Sequence, residues 1–201
     1  MFISCIIILL LQWLLVLLLV LEKLLVLSVF CLTIQAVQGQ GSDSQAFPAS
    51  WAGTWHGDLE IFNARGKVQT VPMWIEIEKI DTSASGRYTF GLVYGSKETD
   101  WRPYELVPVD PAKGLWQVDE KNSIVMESYQ YGPKLLCWFT VQGNRILCTY
   151  EKREADMLFE VYSGAETPVS TTGKTKQEAE EIPEVKTFPF SVFQRAVLKK
   201  E

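Results

Sequence analysis

The stretch TVPMWIEIEK, residues 70–79, decides the fold class, because its apolar and polar side chains alternate one by one. Alternation with a period of two is typical of a β-strand that buries one face and exposes the other. The residues predicted to point inward are Val71, Met73, Ile75 and Ile77. Glu76 and Glu78 fall on the opposite face, which is therefore predicted to be solvated.

The same alternation recurs along the chain, separated by turn-like segments such as Asn-Ala-Arg-Gly and Tyr-Gly-Pro-Lys. We predict further strands at Thr54–Phe62, Arg87–Gly95, Trp101–Asp110, Leu115–Asp119, Ser123–Tyr131, Lys134–Val141, Arg145–Glu151 and Asp156–Ser163. No amphipathic helix of ordinary length lies between them. The pattern predicts an all-β fold, an antiparallel meander barrel of about nine or ten strands, because closure removes exposed strand edges.

The end of the chain is predicted to complete this barrel. Residues 164–184 are rich in Ser, Thr, Gly, Lys and Glu, and we expect a loop that could include one helical turn at Lys174–Glu181. Residues 185–201 are expected to form a closing strand, since Phe188, Phe190 and Val192 alternate. A short helix from Ser191 is the alternative, because Ser191 and Gln194 could form a capping box.

Residues 1–39 are predicted to be a signal peptide or a membrane anchor, since Ile6–Val37 is almost wholly apolar. Read from Val20 or Leu21, the segment resembles a cleavable signal peptide: Lys23 is followed by the apolar Leu24–Ile34 and by small residues before Gln40. Translation would then start near position 20 or 21. An uncleaved anchor is the alternative, and both predict export. The domain would be periplasmic, secreted or membrane-anchored, and residues 40–50 would be a polar spacer before the barrel core, residues 51–163.

Composition argues against several functions. The formal charge is −5 with a pI near 5.1, and no basic cluster that could neutralise phosphates is present, so we predict no nucleic-acid partner. His56 is the single histidine, and strand parity puts it on the solvated face. No nucleophile motif or metal-ligand spacing accompanies it. We therefore expect a protein that is not an enzyme and holds no metal. It would contact a membrane only through its N-terminal segment, and only if that segment is not cleaved.

The first predicted strand opens with Trp51-Ala-Gly-Thr-Trp-His-Gly57, which contains Gly53-Thr54-Trp55. A Gly-x-Trp at this position resembles the calycins, the β-barrel superfamily of the lipocalins and their relatives. The resemblance implies that Trp55 plugs the closed end of the barrel under a late arginine, here Arg195. The second lipocalin signature is not evident, since no aspartate separates Thr149 from Tyr150. The opening is also similar to that of nitrobindin-type haem barrels, but the single histidine, His56, falls on the polar face rather than inside. Ligation of a haem by Tyr, Met or Cys is the open alternative, for which the sequence gives no support, so no cofactor is predicted.

Cys137 and Cys148 flank the predicted turn at Gln142-Gly143-Asn144. If Gln142-Gly143 is the two-residue loop, the two cysteines face each other directly. If Gly143-Asn144 is the loop, they lie diagonally on the same inward face. An oxidising compartment would permit a cross-strand disulfide, and two buried thiols are the alternative.

Large aromatic side chains fall on the predicted inward faces, where they could form the wall of a ligand site. This candidate binding set is Trp55, Tyr88, Phe90, Tyr94, Tyr104, Phe139 and Phe159. Arg102 and Glu105 could orient a ligand at the rim, and placement on the outer surface is the favoured alternative. We expect non-catalytic binding of a small apolar or amphipathic molecule inside the barrel. The alternative is a filled barrel that acts as an envelope or secreted interaction module, and an apolar cavity of a few hundred Å³ would favour the first.

Overall fold

The structure is a computed structural model that describes residues 46–80, 86–177 and 180–201. Ala46–Glu201 forms one compact unit. The predictions made for the N-terminal segment, including its cleavage site and start, lie outside the described residues. In the part of the chain that is described, no helix combines the length and the hydropathy that a membrane span needs.

Ten long strands form one closed antiparallel barrel, which confirms the predicted fold class. The barrel strands are β1 (Gly53–Asn63), β2 (Gly66–Ile77), β3 (Tyr88–Tyr94), β4 (Trp101–Asp110), β5 (Leu115–Asp119), β6 (Val125–Tyr131), β7 (Lys134–Val141), β8 (Asn144–Lys152), β9 (Asp156–Ala165) and, after four short strands, β14 (Val192–Lys200). Strands β1 to β9 pair in chain order, and β14 closes the barrel between β9 and β1. All ten strands lie in the Ala46–Glu201 unit, which has its own core, so this unit has what a domain needs to fold alone.

A short arm of paired strands connects β9 to β14. In this arm β10 (Ser170–Thr172) pairs with β13 (Val185–Thr187), and β11 (Thr175–Gln177) pairs with β12 (Glu180–Ile182). The helical turn that the sequence allowed at Lys174–Glu181 was wrong for the described part of that stretch, where Thr175–Gln177 pairs as a strand with Glu180–Ile182. The chain end is a strand rather than a helix, because β14 forms backbone hydrogen bonds with a neighbour on each side.

Aromatic packing seals one end of the barrel. A short 3₁₀ helix, Ala49–Trp51, crosses this end, and Trp55 Nε1 donates a hydrogen bond to the Trp51 carbonyl oxygen at 2.8 Å. The Phe47 ring packs edge-on against Trp51 and Trp116, with centroids 4.7 and 5.1 Å apart. The end of the predicted spacer, residues 46–50, therefore packs against the barrel. A second 3₁₀ helix, Pro111–Lys113, joins β4 to β5 at the same end.

Trp55 is buried at this end, where the resemblance placed it, but the assignment of Arg195 was wrong. On β14 the inward positions are Ala196 and Leu198, both buried, so Arg195, which directly precedes Ala196, points outward. Its Nε lies 3.8 Å from a Glu160 carboxylate oxygen on the barrel surface. The cations over the Trp55 ring are two lysines at the ends of β8 and β14. The Nζ atoms of Lys152 and Lys200 lie 5.1 and 5.6 Å from the ring centroid.

Candidate functional site

The barrel contains a cavity of about 490 Å³, opposite the sealed end. Its wall is mainly aliphatic and aromatic. The residues that line it include Leu92, Tyr94, Asp100, Arg102, Tyr104, Glu120, Cys137, Phe139, Ile146, Cys148, Tyr150, Phe159 and Val161. Strand alternation makes this wall, because every second residue of each strand points to the inside of the barrel. A volume of this size matches sites that hold small organic ligands.

Two rings, Tyr150 and Phe159, line the floor of the cavity, and Phe90 packs against Tyr150 from the core. The Tyr150 ring lies 5.0 Å from Phe90 and 5.1 Å from Phe159, measured between centroids. Tyr150 is only 5% exposed. Burial raises the pKa of its hydroxyl well above the ordinary value for tyrosine, so the group is neutral at physiological pH. The floor is therefore apolar, with a single neutral hydroxyl that can donate or accept a hydrogen bond.

The structure divides the seven predicted binding residues into two groups. Four of them line the cavity, namely Tyr94, Tyr104, Phe139 and Phe159. The other three, Trp55, Tyr88 and Phe90, do not line it and are buried in the core on the side of the sealed end. They fill the barrel there, as large side chains must if a small barrel is to be packed without voids. That any of the seven binds a ligand stays a prediction.

Three charged side chains lie at the cavity mouth: Asp100, Arg102 and Glu120. Arg102 was predicted as a rim residue, whereas Asp100 and Glu120 were not predicted at the site. Glu120 could have been found by continuing the alternation of Trp116 and Val118 one step past the strand end. Glu105, the other predicted rim residue, lies outside the cavity and pairs with Arg87 on the outer surface.

Cys137 and Cys148 also line the cavity, and they are direct partners across β7 and β8. The Gln142-Gly143 loop produces this register. Both loop residues have positive φ angles, 50° and 76°, as a two-residue type I′ turn requires. The structure holds both cysteines as free thiols, and the disulfide stays a prediction. Burial raises the pKa of Cys148 to about 12 and raises that of Cys137 as well, so neither thiol is an activated nucleophile at neutral pH.

His56 lies exposed on the outer face of β1, where strand parity predicted it. Its ring stacks on Trp74 of the neighbouring strand, with centroids 4.7 Å apart and planes inclined by 28°. The imidazole therefore faces solvent on the other side of the sheet from the cavity. Among the described residues, no group of three or more His, Cys, Asp or Glu side chains could hold a metal ion.

A second concave surface lies on the outside of the barrel, against β7, β8 and β9. This outer groove has a volume of about 530 Å³ and is lined by Trp138, Arg145, Leu147, Tyr162, Phe188 and Phe190, among others. Trp138 and Phe190 are 71% and 79% exposed. The guanidinium carbon of Arg145 lies 3.6 Å from the Phe188 ring centroid. Because Leu147 faces the groove and its neighbours Ile146 and Cys148 face the cavity, the sheet itself separates the two sites.

Comparison with known proteins leaves the family open. No protein-family model, no curated protein and no solved structure matches this chain.

Proposed function

We propose that this protein is an exported, non-catalytic binding protein of calycin type, which holds a small apolar or amphipathic molecule inside its barrel. The observation that carries the proposal is the cavity of about 490 Å³ with its mainly apolar wall. A filled barrel, the alternative prediction, would bury large side chains throughout its length. Such filling is present on the side of the sealed end, and a cavity occupies the opposite side.

The chemistry of the wall favours binding over catalysis. The imidazole of His56 faces solvent outside the barrel, and burial raises the pKa of both cavity thiols, which keeps them protonated. Burial of a ligand against aliphatic and aromatic side chains contributes about 25 cal/mol per Å² of apolar surface, so an apolar molecule needs few polar contacts to bind.

Two features of the sequence support the rest of the proposal. The calycin assignment is supported by Gly53-Thr54-Trp55 at the start of the first barrel strand and by the burial of Trp55 at the sealed end. Export is supported by the apolar residues 6–37, which precede the domain in the sequence.

Native mass spectrometry of the protein isolated from its own host tests the proposal. We expect an adduct mass that disappears when the protein is denatured. Ile146→Trp should abolish the adduct, because the new indole fills the cavity. Leu147→Trp is the matched control, since the neighbouring side chain points to the outer groove instead. Circular dichroism and urea unfolding of both variants would establish that they remain folded.

The pattern across the two variants decides the outcome. Loss of the adduct in Ile146→Trp and its retention in Leu147→Trp would support binding inside the barrel. Loss only in Leu147→Trp would place the ligand in the outer groove and overturn the proposal. Absence of any adduct, together with no binding of added apolar probes, would also overturn it.

A further inference from the structure

The charges at the cavity mouth do not balance, which restricts the ligand. Among the described residues that line the cavity, only Asp100, Arg102 and Glu120 carry a charge. Arg102 is already neutralised: its Nε and Nη2 atoms donate hydrogen bonds to the two Asp100 carboxylate oxygens at 3.0 and 3.2 Å. Its guanidinium carbon also lies 4.6 Å from the Tyr94 ring centroid, which holds the ion pair against the wall.

Glu120 is different, because no cationic side chain among the described residues lies within 4.0 Å of its carboxylate. The next residue, Lys121, turns to the outer face, where its Nζ lies 3.1 Å from Glu105 and 3.8 Å from Asp119. The carboxylate of Glu120 accepts a hydrogen bond from Asn122 Nδ2 at 3.2 Å. Glu120 therefore contributes a negative charge to the mouth without a matching cation.

The other polar groups of the cavity are neutral. Burial raises the pKa of the Tyr150 and Tyr94 hydroxyls, and burial together with the charge of Glu120 raises that of Tyr104. Tyr150 is buried and lines the cavity. Its hydroxyl can donate or accept a hydrogen bond, so a neutral polar atom of a ligand could bind there without adding charge.

We propose that the ligand is a cationic amphiphile, with an apolar body inside the barrel and an ammonium-type head beside Glu120 and the Tyr104 ring. This inference rests on the proposed function and names the ligand class for the same cavity. A carboxylate next to an aromatic ring is a favourable site for an ammonium group. An anionic head would meet the carboxylates of Asp100 and Glu120, and it could reach the paired side of Arg102 only by displacing Asp100.

Isothermal titration calorimetry with residues 40–201 at pH 7 tests the head group. The probes are an alkylammonium, an alcohol and a carboxylate that share one chain of about ten carbons, a size suited to such a cavity. We expect the ammonium to bind about tenfold more tightly than the alcohol, as one charge-assisted contact would give, and the carboxylate to bind most weakly. Glu120→Gln should remove the advantage of the ammonium and leave alcohol binding unchanged.

Glu154→Gln is the matched control, because it removes the same charge from an exposed position between β8 and β9, at the sealed end. This variant should keep the full preference for the ammonium. If none of the three probe molecules binds, the proposed function fails together with this inference. Two other results would refute the cationic ligand while the proposed function of the cavity stands. The probes could bind with the alkylammonium no tighter than the alcohol, or the alkylammonium could remain tighter than the alcohol in Glu120→Gln.

Discussion

Oxidation of Cys137 and Cys148 to a disulfide should stabilise the barrel by about 3 kcal/mol. The two residues are direct partners across the β7–β8 hairpin, and directly opposed strand residues lie within the Cα separation that a disulfide requires. The bond would close a loop of roughly 12 residues, and the entropy removed from the unfolded chain by a loop of this length gives the figure of about 3 kcal/mol.

The assay is urea unfolding of residues 40–201, followed by tryptophan fluorescence, after oxidation and with or without reductant. An m-value of about 2 kcal/mol per molar urea is ordinary for this size, so the oxidised midpoint should lie roughly 1–2 M above the reduced one. Intact mass should show the loss of two hydrogen atoms in the oxidised sample. The rise in the thiol pKa values means that oxidation is slow at neutral pH and accelerates as pH increases.

The double variant Cys137→Ala/Cys148→Ala is the control, and its midpoint should not respond to reductant. If the oxidised mass is found but the midpoint does not move, the argument from chain entropy is refuted. If both thiols stay free after prolonged oxidation, the direct pairing of the two cysteines is wrong.

Three further predictions follow from the described contacts. The stability that the protonated Cys148 thiol contributes should be fully present below about pH 9 and should be lost as pH rises toward about 12. Burial raises the pKa of Cys148 from 9.0 to about 12, so the folded state holds that proton more tightly than the unfolded chain. Urea midpoints should decline across this range, and in the double alanine variant the decline should begin at a higher pH. Arg87→Met should lower the free energy of unfolding by about 1–3 kcal/mol, since Arg87 pairs with Glu105 and lies 3.9 Å from Asp119, two partly buried carboxylates. Lys113→Met, which breaks an exposed pair with Asp110, should lower it by under about 0.5 kcal/mol in the same urea assay. Equal effects of the two substitutions would contradict the argument from burial. Gly114→Ala should destabilise the fold by about 2 kcal/mol or more, because the φ of Gly114 is 72° and the new Cβ would overlap the Gln130 carbonyl oxygen. Gly132 has a φ of 54° but open space around it, so Gly132→Ala should lower the melting temperature less. The difference between the two variants in a thermal melt measures the cost of the overlap apart from the cost of the positive φ.

Local sequence predicted the strands well, because the alternation that defines a strand is contained in the strand itself. The bounds predicted for Trp101–Asp110, Leu115–Asp119 and Lys134–Val141 are those of β4, β5 and β7. The sequence left the β7–β8 register open, since two loops around Gly143 were compatible with it. The structure has a left-handed conformation at Gln142, and this choice makes the cysteines direct partners.

The candidate site was harder to predict, because it depends on which side chains meet from distant strands. Tyr94, Tyr104, Phe139 and Phe159 were predicted inward and do line the cavity. Glu120 was missed because it follows the last residue of β5, where alternation was assumed to end. The placement of Arg195 failed because it came from a family resemblance, and strand parity on β14 opposes it.

By itself the sequence determined the all-β class, the inward and outward faces and the apolar N-terminal segment, since these depend on residue order over short windows. Only the tertiary structure decided that β14 pairs with β1 and closes the barrel, because that contact joins residues far apart in the chain. It also decided that the cavity lies on one side of the barrel. Trp51, Trp55 and Trp116 converge at the sealed end, whereas smaller residues such as Leu92, Ile146 and Val161 face one another around the cavity. The volume of the cavity depends on side chains from all ten barrel strands together, so no single stretch of sequence specifies it.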